Sequence, residues 1–139
     1  MFFSIFFVKD YESEIKYQLE AVKVYKRLYE DADHPDVAAS LNNIALAYGN
    51  LNDFKNELKY QIEALEMTRR YYKNVDHPSI AISLCNVGNA FGHIKDYQNQ
   101  LTYNLEALNM LSSLYKNNEN SLLTTINSNV GIVYGNLGK

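Results

Sequence analysis

The sequence has one cysteine, two prolines and no apolar run long enough to cross a bilayer. Each shortage excludes something. A lone Cys85 cannot build an intramolecular disulfide framework, and it fits a reducing, cytoplasmic setting. Two prolines in 139 residues leave long stretches free to be helical. The run 1–8 (MFFSIFFV) falls far short of the roughly 20 apolar residues a membrane helix needs, and no basic residue precedes it. Positive charge is scarce too: 13 Lys and Arg against 16 Asp and Glu give a net charge of −3. No basic face is left to neutralise phosphates, so neither a nucleic acid nor a membrane is expected as a partner. No glycine loop cradles a phosphate, and no Cys/His pair finds a third member. The carboxylates Glu63 and Glu66 fall on the charged side of a helix, where solvation explains them. The chain is therefore read as no enzyme, with no catalytic residue, cofactor or metal site.

What the sequence does hold is a repeat. Asp33-His34-Pro35-Asp36-Val37-Ala38 returns as Asp76-His77-Pro78-Ser79-Ile80-Ala81, and the residues that follow stay in register with a period of about 43. Roughly 20 of those positions are identical between the two complete units. Asn43, Asn86 and Asn129 share one slot, Tyr48, Phe91 and Tyr134 a second, Gly49, Gly92 and Gly135 a third. Upstream, Tyr17 falls under Tyr60 and Tyr103, and Ala21 under Ala64 and Ala107. Units of this size cannot bury an apolar face alone and must stack. The expected organisation is one domain over 1–139: a partial unit 1–32, repeats 33–75 and 76–118, and a partial unit 119–139. By the same period, 1–8 corresponds to the end of a helix equivalent to 44–51, a reading preferred over a secretory signal.

Each unit reads as two helices. The first opens at Pro35 or Pro78, because proline suits the first helical position, whose N–H has no partner. His34, His77 and Asn120 occupy the slot before it and are read as caps, since no second metal ligand recurs at i+3 or i+4. Val37, Leu41, Ile44, Ala45 and Tyr48 recur at three- and four-residue spacing, as do Ile80, Leu84, Val87, Gly88 and Phe91. Small residues at Ala45, Gly88 and Gly131 invite close approach of a neighbouring helix. Breaks fall at 50–53, 93–96 and 136–139, where Asp53 or Asp96 is placed to cap the next helix. The second helix carries Leu58, Ile62, Leu65 and Tyr72, matched by Leu101, Leu105, Leu108 and Tyr115 and by Ile15, Leu19, Val22 and Tyr29. Arg69, Arg70 and Lys73 collect near its C-terminus, where the helix dipole favours cations, and are read as a solvated back.

Leu41-x-x-Ile44-Ala45-x-x-Tyr48, Leu84-x-x-Val87-Gly88-x-x-Phe91 and Val130-Gly131-x-x-Tyr134 resemble the first-helix signature of tetratricopeptide repeats. The long period and the His-Pro-Asp-Val-Ala sequence before Leu41-Asn42-Asn43-Ile44-Ala45 are similar to the repeats of kinesin light chains. The resemblance covers 10–138 and implies an all-α fold, a right-handed α-solenoid of antiparallel helix pairs with about three 43-residue periods. One departure stands out. The family places a small residue and then an aromatic on the second helix, four apart; here those slots hold Glu57 and Gln61, Gln100 and Asn104, Glu14 and Gln18. The packed face is therefore expected to turn by about one position, onto Leu58 and Tyr60.

The resemblance implies that first helices line a concave surface that holds an extended peptide segment of a protein partner. Asn43, Asn86 and Asn129 are the leading candidates, because a primary amide carries both donors and an acceptor and can hold a peptide backbone without reading its side chains. Leu46, Asn89 and Ile132 follow one turn on, with Asn50, His93 and Asn136 beyond, and Asn42, Cys85 and Ser128 complete the lining. The competing reading of the asparagines is that they orient neighbouring helices. No Lys or Arg occurs over 35–51 or 78–94, so a carboxylate clamp is not expected. A partner of low net charge, held with little salt dependence, is. The expected role is an interaction scaffold or adaptor. The alternative is an accessory arm of a larger enzyme or signalling ATPase, and end-to-end self-association through Phe2, Phe3, Phe6 and Phe7 at one end and Ile132 and Leu137 at the other is a further expectation.

Overall fold

The computed structural model describes residues 10–116 and 120–138. The apolar run 1–8, with its four phenylalanines, and residues 117–119 lie outside the described residues. The described chain is helical with no strand. In order it forms α1 (Tyr11–Leu28), α2 (Pro35–Asn50), α3 (Phe54–Tyr71), α4 (Pro78–His93), α5 (Tyr97–Leu114) and α6 (Ser121–Asn136). Each helix packs chiefly on its chain neighbours, as a solenoid requires. Helices α2, α4 and α6 are the first helices of their units; α1, α3 and α5 are second helices.

Helix starts follow the period. Asp10, Asp53 and Asp96 accept backbone N–H bonds from Ser13, Asn56 and Asn99 at 3.0, 3.3 and 3.2 Å and so cap the second helices. The first helices are capped by imidazole: Nδ1 of His34 accepts from the Asp36 amide and Nδ1 of His77 from the Ser79 amide, both at 3.0 Å. Asn120 Oδ1 does the same for Leu122 at 2.9 Å. Each histidine is extended, as a residue before proline must be (φ −150° and −151°). The capping rings also pack, His34 on Tyr29 at 3.6 Å between centroids and His77 on Tyr72 at 3.7 Å. The turn within each unit needs one left-handed residue, and Asn52, Lys95 and Gly138 (φ 60°, 61° and 73°) fill that slot.

The apolar stripes of the first helices are buried as expected, with Val37, Ile44, Ala45, Leu84 and Val87 at 0% exposure. They form two apolar cores that meet at α3, whose Ala64 and Met67 belong to the N-terminal core and whose Leu65 belongs to the C-terminal one. The face of α3 that packs has not turned onto Leu58 and Tyr60. Glu57, Gln61, Ala64 and Thr68 are 3%, 2%, 3% and 7% exposed, while Leu58 and Tyr60 are only partly buried. The reason lies on the facing helix: a Cβ on Gly49 would come within 2.8 Å of the Glu57 carboxyl, so the missing side chain makes the room that a polar residue occupies. Gly92 does the same for Gln100, and Gly88 for Asn104, whose Oδ1 would lie 2.6 Å from a Cβ there.

The arginines at the end of α3 are not simply solvated. Arg70 makes a two-pronged bond to Asp33, both contacts at 2.9 Å, and Arg69 reaches Glu106 on α5 at 2.7 Å. Each tie joins residues 37 positions apart in sequence: Arg70–Asp33 closes repeat 33–75 on itself, and Arg69–Glu106 crosses to the next repeat.

Candidate functional site

The period of the stack decides what faces its open groove. Leu46 and Asn89 share one slot of the 43-residue period and His93 and Asn136 another, and these four, from three successive first helices, line a single groove of about 380 Å³. Its remaining walls are Asn86 and Gly92 of α4, Glu57 and Gln61 of α3, and Tyr97 and Gln100 of α5. A second, more apolar cavity of about 230 Å³ adjoins it, with Pro35, Ala38, Met67, Tyr71, Tyr72 and Ile82 among its lining. Asn86 lines both, so the two form one continuous surface across α2 and α4.

The sequence candidates divide on that surface. Leu46, Asn86, Asn89, His93 and Asn136 line the polar groove, and Asn42 lines the apolar cavity. Asn43, Asn129, Ser128 and Ile132 line neither, although Ile132 is 61% exposed. Asn50 turns back on its own helix, donating to the Leu46 carbonyl at 2.9 Å. Cys85 is 9% exposed and belongs to the C-terminal core, where burial pushes its thiol up to about 11. Asn86 donates through Nδ2 to Oδ1 of Asn42 at 3.0 Å, a bond that joins α2 to α4. In the next unit Cys85 stands in the Asn42 slot and offers no comparable acceptor to Asn129, so this bond does not recur.

What the residue pattern did not reveal is the floor. The Glu57 side chain is 4% exposed and faces His93 of the next unit, whose Nδ1 lies 2.8 and 2.9 Å from its two oxygens. A carboxylate only accepts, so Nδ1 carries the hydrogen. The imidazole, half exposed, also rests 5.3 Å from the Phe54 ring. In the following unit Gln100 replaces Glu57 and Asn136 replaces His93. Gln100 Oε1 is buried without a hydrogen-bond partner, and behind it both amide atoms of Asn104 are buried and unpartnered. The available signal was Gly49 and Gly92, which recur in the last turn of α2 and α4 with Glu57 and Gln100 against them.

Among the described residues no group of three or more His, Cys, Asp and Glu is placed to hold a metal ion, and no helix is long and apolar enough to cross a membrane.

Residues 37–79 match the tetratricopeptide repeat family. The sequence has no match among curated proteins. Among solved structures, BtubC (BKLC) from P. vanneervenii is similar at a TM-score of 0.79 and 22% identity, over 89% of this chain and 48% of that one. A Podosopora anserina protein assigned as a kinesin light chain, with nearly identical TPR-like repeats, is similar in two structures, a point variant at a TM-score of 0.70 and a second at 0.68, both at 16% identity. That likeness covers 92% of this chain and 65% of the other. The chain thus spans about half the length of BtubC and under two thirds of the second protein. The shared feature at these identities is the fold. Taken with the repeat match over 37–79 and the 43-residue register of caps, turns and glycines, it gives this chain the fold of a tetratricopeptide-like helical solenoid, similar to that of these structures.

Proposed function

We propose that these repeats form a cytoplasmic interaction scaffold that holds an extended peptide segment of a partner protein along α2, α4 and α6. Tetratricopeptide repeats serve as protein-interaction scaffolds, which gives the class of function. The observation that carries the finer reading is the continuous surface on which Asn86 joins a polar groove to an apolar cavity. An extended peptide presents alternating side chains and unpaired backbone N–H and C=O groups. Asn86, Asn89 and Asn136 supply amides that donate to and accept from such a backbone, while the cavity beside Tyr71 and Ile82 takes an apolar side chain. The Asn42–Asn86 bond gives Asn86 a scaffolding role as well, fixing its amide before a ligand arrives.

The test is capture of partners by the wild-type chain beside an Asn86→Ala/Asn89→Ala/Asn136→Ala variant, after circular dichroism has shown equal helicity. An Asn43→Ala/Asn129→Ala variant, altered on the same first helices but outside the groove, is the control. Partners lost only from the groove variant support the reading. Partners retained by the groove variant, or lost equally from the control, contradict it.

A further inference from the structure

The floor of the polar groove presents acceptors that are incompletely matched. It holds a carboxylate, Glu57, with its side chain 4% exposed, and an amide oxygen, Gln100 Oε1, that is buried with no hydrogen-bond partner. Among the described residues the groove's walls contain no Lys or Arg. The only lining group there with a positive form is His93, which already spans to Glu57 and stands half exposed at the mouth. A buried carboxylate is costly unless paired, and an imidazole N–H satisfies only part of its accepting capacity. The complement to such a floor is a compact cation with several donors.

We infer that the groove selects a peptide bearing a lysine or arginine side chain, whose cationic head enters beside His93 and bonds to Glu57 with the Gln100 oxygen within the same groove. This rests on the peptide-binding reading above and departs from one expectation of the sequence, a ligand of low net charge held with little salt dependence. That expectation came from counting charges on the first helices, whereas the charge that matters is delivered by a second helix through the space left by Gly49. His93 then acts as an internal competitor, because its Nδ1–H occupies the oxygens that the ligand needs.

The probe is a phage-displayed library of random dodecapeptides selected on the wild-type chain. Groove binders are those whose binding the Asn86→Ala/Asn89→Ala variant loses. Labelled copies are then measured by fluorescence anisotropy against wild type, Glu57→Gln and His93→Ala. Glu57→Gln is compatible with the fold, since Gln100 fills the same slot in the next unit.

Enrichment of Lys or Arg among groove binders is expected, with affinity falling as salt rises. Replacing that residue by norleucine should weaken binding about tenfold on wild type and hardly at all on Glu57→Gln. His93→Ala should bind the cationic peptide several-fold more tightly. Groove binders without a cation, or with one whose removal costs nothing on wild type, overturn the inference and leave the groove reading standing. A selection that yields no peptide sensitive to Asn86 and Asn89 overturns both.

Discussion

The hairpins α2–α3 and α4–α5 are two versions of one design, and they differ mainly where a second helix presses a polar side chain against a glycine of the first. In the former, Glu57 sits on Gly49 and is met by His93 from the next unit. In the latter, Gln100 sits on Gly92 and Asn104 on Gly88, and Gln100 Oε1 and both amide atoms of Asn104 are buried without a hydrogen-bond partner. The helix N-caps, the left-handed turn position filled by Asn52 and Lys95, and the aromatic pairs Tyr48–Tyr60 and Phe91–Tyr103, at 5.6 and 5.4 Å, recur in both. A repeat can therefore keep its backbone while the polar slots between its helices drift, and those slots form the floor of the groove. The scaffold is shared and the chemistry is local to each unit.

The comparison breaks first if the apolar cores are not equivalent. Leu41→Ala and Leu84→Ala remove side chains that are 2% and 0% exposed in the same slot, and each should cost about 2–5 kcal/mol in denaturant unfolding. A difference of more than that spread between the two would locate the contrast in the cores instead of the polar slots.

The polar slots should respond with opposite signs. Asn104→Leu removes a buried amide with no partner and keeps its branched shape at larger volume, and should stabilise the chain by up to about 1–3 kcal/mol, overpacking setting the lower end. His93→Ala strips Glu57 of its partner and should destabilise by about 1 kcal/mol, the half-exposed imidazole limiting the loss. Glycine substitutions sharpen the same contrast. Gly131 shares its slot with Gly88, but a Cβ there meets nothing within 4 Å. Gly131→Ala should gain up to about 1 kcal/mol from helix propensity, while Gly88→Leu should lose stability by overpacking against Asn104.

The smallest effect concerns Cys85. Its thiol pKa is raised by burial to about 11, so the folded state favours the protonated form. The sign follows: the stabilisation is present below the ordinary thiol range and is lost as pH rises toward 11. At pH 8 a thiol reagent should label Cys85 slowly in the native chain and quickly in denaturant. Fast native labelling would show that the C-terminal core opens more readily than its packing implies.

Much of the fold was legible in the sequence because backbone chemistry repeats with it. Pro35 and Pro78 mark helix starts, His34, His77 and Asn120 mark caps, and Leu41 and Leu84 mark the buried stripe; each rule needs only neighbours within a turn or two. The candidate site was legible in part. Asn86, Asn89, His93 and Asn136 were found from the slots that first helices present, while Glu57, Gln61 and Gln100 were missed. A carboxylate or amide in an amphipathic helix reads as solvent-facing, and only the facing glycine tells otherwise. The partners of Arg69 and Arg70 lie 37 residues away, where no local pattern reaches.

The most direct measurement of the central claim is an NMR titration of the isotope-labelled chain with a peptide captured from the library. Shifts concentrated at Leu46, Asn86, Asn89, His93 and Asn136, along three first helices, are what a groove-held peptide predicts. Shifts concentrated on exposed second-helix residues such as Lys55, Lys59, Thr102 and Glu106 would place the partner on the opposite side and contradict the account.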